Sequence, residues 1–215
     1  MHAWASELFC DLSFIENIED RREFMRGAQF PDIRYIAHFP RHLTHPNITD
    51  LKQVYEGSSY FDMGLRFHSW LDHVREEMIP GEVYDQVALY SKGHSATLLK
   101  FIEDEILATS YDASPWVDGF GEVCVSELKF AEESAIANWH IMISWTFLLR
   151  PSDLLWMQSY KGPLFGVSSD VLYDWSYYLP YLKEHPLFKA HLESLRFYIE
   201  EMLWDQAEDL SEEGL

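Results

Sequence analysis

Apolar side chains recur along most of this chain at every third or fourth position, which lays a single stripe along an α-helix. The strict alternation and the Asn-Gly or Asp-Gly turns of hairpins are scarce. The clearest stripe is the last, where Phe188, Leu192, Leu195, Ile199, Met202 and Leu203 share a face and Glu193, Arg196 and Glu200 lie largely off it. Earlier helices are expected at about 3–25, 49–57, 60–78, 82–109, 126–149, 152–161 and 168–179. Their breaks are marked by Pro31, Pro40, Pro46, Pro80-Gly81, Pro115, Pro151, Pro163 and Pro180. On the 60–78 helix, Tyr60, Met63, Phe67, Trp70, Leu71, Val74 and Met78 form the core stripe, and Gly64, His68, Asp72 and Arg75 follow one edge of it. The pattern predicts an all-α fold, a single multi-helix bundle domain over 1–215, with no internal repeat or linker. Its loosest stretch, Ser110 to Gly121, suits a loop over a site.

Composition supports a folded domain. At 215 residues and 47% hydrophobic content the chain can bury a sizeable core, and 16% aromatic residues make that core rich in rings. Charge narrows the partners. Lys+Arg 16 against Asp+Glu 36 gives −20, a field that repels polyanions, so general nucleic-acid binding is not expected; a bound divalent cation would still allow a small phosphoester. Much of the acidity lies at the end, and about 205–215 is expected to be an acidic, flexible tail.

Cys10 and Cys124 are too few for a disulfide framework, and the first residues lack a basic start followed by an apolar run. A cytoplasmic protein without a secretory signal is therefore expected. The most apolar stretch, Ala135 to Leu149, is shorter than a membrane crossing and contains Asn138 and His140. It is expected to be a buried helix, so no transmembrane segment is foreseen.

The candidate chemistry lies in the first half. His68 and Asp72, four apart on one helix, can reach a common ion or bond each other, and Gly64 one turn earlier is expected to leave room for a ligand. His73 and Glu77 belong to the opposite, solvent-facing flank. Asp32 follows Pro31, which holds the chain in a turn from which the carboxylate either points inward or caps the Ile33–Phe39 segment. Of His38, His42 and His45, the first choice to face a shared centre is His45, between Thr44 and Pro46, with His38 in reserve. His2 opens the first helix. Glu103, Asp104 and Glu105 are expected mainly as a solvated acidic face with at least one member near the apolar edge. Glu133 and His140, seven apart, form a weaker second candidate. Mixed oxygen and nitrogen donors of this kind suit zinc, with manganese or iron as alternatives.

The order of these pieces resembles a known family. A histidine at the start of the first helix, Gly27-x-x-x-Pro31-Asp32-Ile33, Thr44-His45, and Gly64-x-x-x-His68-x-x-x-Asp72 are together similar to the zinc-dependent phospholipase C family, whose all-helical fold is shared with single-strand nucleases. The resemblance covers about the first 110 residues. It implies a divalent-metal hydrolase of phosphoesters in which Asp32 bridges metals as the catalytic carboxylate, His2, His45, His68 and Asp72 are ligands, and Asp104 is a further acidic partner. Two positions depart from the pattern: Met1-His2 stands where secreted members carry an N-terminal tryptophan, and Leu98 stands four residues after His94 in place of a glutamate. The expectation from another class is a non-catalytic acidic helical scaffold or binding protein, with at most one structural metal and with a partner protein as one of its ligands.

Overall fold

The computed structural model describes residues 1–163 and 165–212, with side chains through Asp209. It is an all-α multi-helix domain, and among the described residues there is no β-strand. Helices α1 (His2–Leu12), α2 (Ile18–Gln29) and the short α3 (Arg34–Ala37) lead to α4 (Tyr60–Met78), whose bounds coincide with those the periodicity suggests. Then follow α5 (Gly81–Ser91), α6 (Ser95–Leu107), α7 (Glu133–Leu148), α8 (Pro151–Ser159), α9 (Ser169–Leu182) and α10 (Pro186–Glu212).

Where one expected helix becomes two, the backbone shows the cause. Between α1 and α2, Phe14 turns left-handed at φ 55°, and the Asn17 side chain accepts a 2.8 Å hydrogen bond from the Glu19 amide, starting a new helix. Between α5 and α6, Lys92 and Gly93 take φ values of 49° and 92°. The expected 126–149 helix starts only at Glu133, preceded by a 3-10 turn at Glu127–Lys129, and the 49–57 segment is the 3-10 helix Leu51–Glu56, opened by an Asp50/Gln53 capping box. At the other end the chain is more regular than expected. Helix α9 runs past Pro180, which falls in its last turn, and α10 continues to Glu212 with Gln206 buried. The part after Trp204 is thus helical as far as it is described, and residues 213–215 lie outside the described residues.

Helix α4 belongs to both halves of the core. Phe61 and Leu65 face a cluster built with α5 to α9, while Phe67, Trp70, Leu71 and Val74 face one built with α1, α2 and α10. In the second cluster the ring of Phe9 stacks on Phe24 at 4.8 Å and tilts against Phe67 at 4.9 Å. The α2 and α4 backbones cross in near contact at Gly27 and Gly64. A methyl group on Gly64 would meet the Phe24 carbonyl, and one on Gly27 the Phe61 carbonyl. Gly64 is therefore not the ligand space the sequence suggests; its missing side chain is filled by the neighbouring helix. None of the described helices is long and apolar enough to cross a membrane.

Candidate metal centre

Five candidate ligands from four separate stretches of chain converge on the edge of α4. His2 is carried by the first turn of α1, which Ala5 and Phe9 anchor in the core. Asp32 sits in the 3-10 turn Phe30–Ile33 between fully buried Phe30 and Ile33, leaving its own side chain, 25% exposed, on a cavity wall. It caps no helix: the residue at the start of α3 is Ile33, without a side-chain cap. His45 is buried, whereas His38 and His42 are exposed, His38 in a left-handed conformation at φ 57° that ends α3. His68 and Asp72, buried on α4, complete the group. His73 and Glu77 face each other at 3.5 Å on the outer flank.

The donor atoms form two overlapping triads, His2 with His68 and Asp72, and Asp32 with His45 and His68, each with its ligand atoms within 4.8 Å of one another. The rings of His2 and His68 stack at 4.1 Å, and His45 meets His68 edge-on at 5.1 Å. Asp72 lies at the middle. Its Oδ1 is 3.5 Å from His2 Nε2, and its Oδ2 is 3.7 Å from His68 Nε2 and 3.9 Å from His45 Nε2. Those distances exceed good hydrogen bonds, and all three Nε2 atoms are buried without a hydrogen-bond partner.

The opposite ring nitrogens fix the tautomers. His68 Nδ1 lies 2.8 Å from the Ala28 carbonyl oxygen, an acceptor only, so Nδ1 carries the proton and Nε2 presents a lone pair. The Thr44 hydroxyl donates to the Pro31 carbonyl at 3.0 Å and accepts from His45 Nδ1 at 3.0 Å, which leaves His45 Nε2 likewise bare. Burial, partly opposed by the aspartates, lowers the His45 pKa to about 4; burial and then His2 lower that of His68 to about 3. Both imidazoles are neutral at pH 7, the form that binds metal. A shared His68 has one free nitrogen, so the two triads describe either one ion or two ions of which only one takes His68.

Cations already surround the carboxylates. Lys100 Nζ is 2.7 Å from Asp72 Oδ1, an Arg41 Nη is 3.1 Å from Oδ2, and Arg34 Nε is 3.9 Å from Asp32 Oδ1. Burial would raise the pKa of both aspartates, but Lys100, followed by His68 at Asp32 and by His2 at Asp72, more than offsets it and both fall below the ordinary carboxylate value. The sequence reading missed Lys100 and Arg41. A signal for Lys100 was present, since it lies four residues before Asp104 on α6 and so shares its face.

Other candidates are placed elsewhere. Asp104 lines the same cavity but accepts a hydrogen bond from the Met1 amino group and belongs to neither triad. Glu103 and Glu105 are not solvated. Glu103 binds Arg75 at 2.6 Å and His191 at 3.2 Å, and Glu105 accepts from the backbone amide and hydroxyl of Ser152 at the start of α8. The Glu133 and His140 pair does not form, because Glu133 is exposed and His140 Nε2 lies 2.6 Å from Glu127. His94 packs edge-on to Trp175 at 6.2 Å, away from the centre.

The cavity beside the triads measures about 480 Å³. Its lining combines the polar groups of Asp32, Asp72, Arg41 and Lys100 with the apolar side chains of Trp139, Met142, Ile143 and Phe147 of α7. The expected site loop contributes Tyr111, Asp112 and Ala113 to the lining. The fold and site thus define an all-helical protein with a histidine and aspartate cluster on the wall of an amphipathic cavity. No protein-family model, curated protein or solved structure matches the chain.

Proposed function

We propose that this protein is a metal-dependent hydrolase of phosphoesters, with divalent cations, zinc first among them, held by His2, Asp32, His45, His68 and Asp72. The observation that carries the proposal is the convergence of three buried, partnerless Nε2 atoms around one carboxylate. Burying such nitrogens without a partner is costly, and a cation that accepts their lone pairs relieves the cost. The resemblance of the sequence motifs in about the first 110 residues to the zinc-dependent phospholipase C family supports the same assignment. Such ions lower the pKa of water and offset charge that develops on phosphate.

The residues divide that work. Ala28 and Thr44 hold His68 and His45 in the ligand tautomer. Asp72 has one oxygen toward His2 and the other toward His45 and His68, so it would hold a metal together with any of the three imidazoles, beside the carboxylate role that the resemblance gives to Asp32. Asp32 then remains the ligand nearest the open cavity wall. The apolar side chains of α7 in the lining offer contact to the organic part of the ester. Elemental analysis of protein purified without a histidine tag should find roughly one to three equivalents of zinc, manganese or iron. Turnover of a generic phosphodiester or phosphomonoester should vanish on chelation and return with the metal. Metal-free, fully folded protein that stays inactive after metal is added would refute the proposal.

One observation favours a second reading. Asp72 already has Lys100 and Arg41 as counter-ions, as in a buried polar network of a non-catalytic scaffold. That reading expects no bound metal, or one structural ion without turnover and a melting temperature that falls on chelation.

A further inference from the structure

We infer that Lys100, assisted by Arg41, is a phosphate-binding group of this cavity, placed to take the non-bridging oxygens of the substrate once the carboxylates are bound to metal. The inference rests on the metal-dependent function proposed above. It starts from a local departure in charge. In a chain of net charge −20, the cavity lining carries as many basic as acidic side chains, five of each, so an anion entering here does not meet the field of the whole surface. Among the basic groups Arg75 is committed to Glu103, whereas Lys100 and Arg41 reach the two different oxygens of Asp72.

Those contacts depend on Asp72 being an uncompensated anion. When its charge is taken by a dication, the attraction for both side chains is lost, and the ion repels the ammonium at short range. Lys100 has a flexible four-carbon stem and keeps 34% of its side chain exposed to the cavity and solvent, and Arg41 is 49% exposed, so both ends can turn to a new anion. A phosphate held at the metals is then the nearest anion, and charge-assisted hydrogen bonds to its remaining oxygens replace those to Asp72. A monoester, with more charge on those oxygens than a diester, gains more.

The test uses the full chain, zinc and inorganic phosphate. Zinc content and affinity are measured by elemental analysis and chelator competition, and phosphate binding to the zinc-loaded protein by calorimetry, for the wild type, Lys100→Met and Lys100→Arg. Lys100→Met should bind zinc as well as or better than the wild type and phosphate roughly tenfold or more weakly, with partial recovery in Lys100→Arg. Zinc binding retained with phosphate affinity within about twofold of wild type overturns the inference and leaves the metal assignment intact. A wild type that takes up no zinc removes the metal assignment and the inference with it. Should Lys100→Met not fold, Arg41→Gln, at an exposed position, carries the same readout.

Discussion

A single imidazole shows how much rests on a neighbouring atom. His68 is a metal-ligand candidate because the Ala28 carbonyl accepts a hydrogen bond from its Nδ1–H, and His45 is one because Thr44, itself fixed on Pro31, does the same. The sequence suggested His68 through its spacing from Asp72 and His45 through its place before proline, but it contains no sign of either tautomer. His68→Ala and Asp72→Ala should each lower metal content and phosphoester hydrolysis by about tenfold or more, while His73→Ala, on the outer flank, should change neither. Equal loss in all three variants, read by elemental analysis and initial rates, would count against the site. Thr44→Val, which keeps the shape and removes the hydroxyl, should weaken metal binding by roughly tenfold. Away from the site, burial pushes the Cys10 thiol up to about 12. Its folded pKa lies above the ordinary thiol value of 9.0, so its contribution to stability is complete below pH 9 and is lost as pH rises towards 12. Mass spectrometry after alkylation at pH 8 should find Cys124 labelled first and Cys10 only after unfolding; prompt labelling of both would contradict its burial.

Among the elements, α4 was the most legible, because nineteen residues of unbroken helical periodicity leave no competing pattern. The helices that split did so at Phe14 and at Lys92-Gly93, where a left-handed backbone interrupts a stripe whose apolar spacing happens to continue. Gly64 was misjudged for a related reason. In sequence an absent side chain marks space, but only the packing of α2 shows that backbone fills it. Gly64→Ala and Gly27→Ala should therefore each destabilise the fold by about 2 kcal/mol or more, since both helices must separate. Gly81→Ala, at the open start of α5 with nothing within 4 Å, should be neutral or slightly stabilising. Urea denaturation of the three variants checks the ranking, and an unchanged midpoint for Gly64→Ala would exclude the close crossing.

Across the whole molecule, buried charge ties the site to the rest of the bundle. Glu103 on α6 joins Arg75 of α4 to His191 of α10 behind the metal candidates. Against the burial that would raise it, Arg75 and then His191 hold the Glu103 carboxyl at about 2, below the ordinary value of 4.5. A carboxyl depressed in the folded state stabilises it above pH 4.5, and the contribution is lost as pH falls towards 2. Glu103→Gln should lower stability at pH 7 and flatten its dependence between pH 4.5 and 2 in denaturation series; a parallel curve would remove Glu103 from the acid response.

The sequence by itself determined the helical class, the central helix and the spacing that puts His68 beside Asp72, because these depend on residues within a few positions of each other. Tertiary structure alone decided which distant groups meet them. It brought His2, Asp32 and His45 to one edge of α4, turned Asp104 to the Met1 amino group, paired His140 with Glu127 and set Lys100 against Asp72. The reason is physical: a periodic pattern specifies which face of a helix is buried, whereas a ligand cluster depends on how buried faces from separate helices interlock, and only the packed core fixes that geometry.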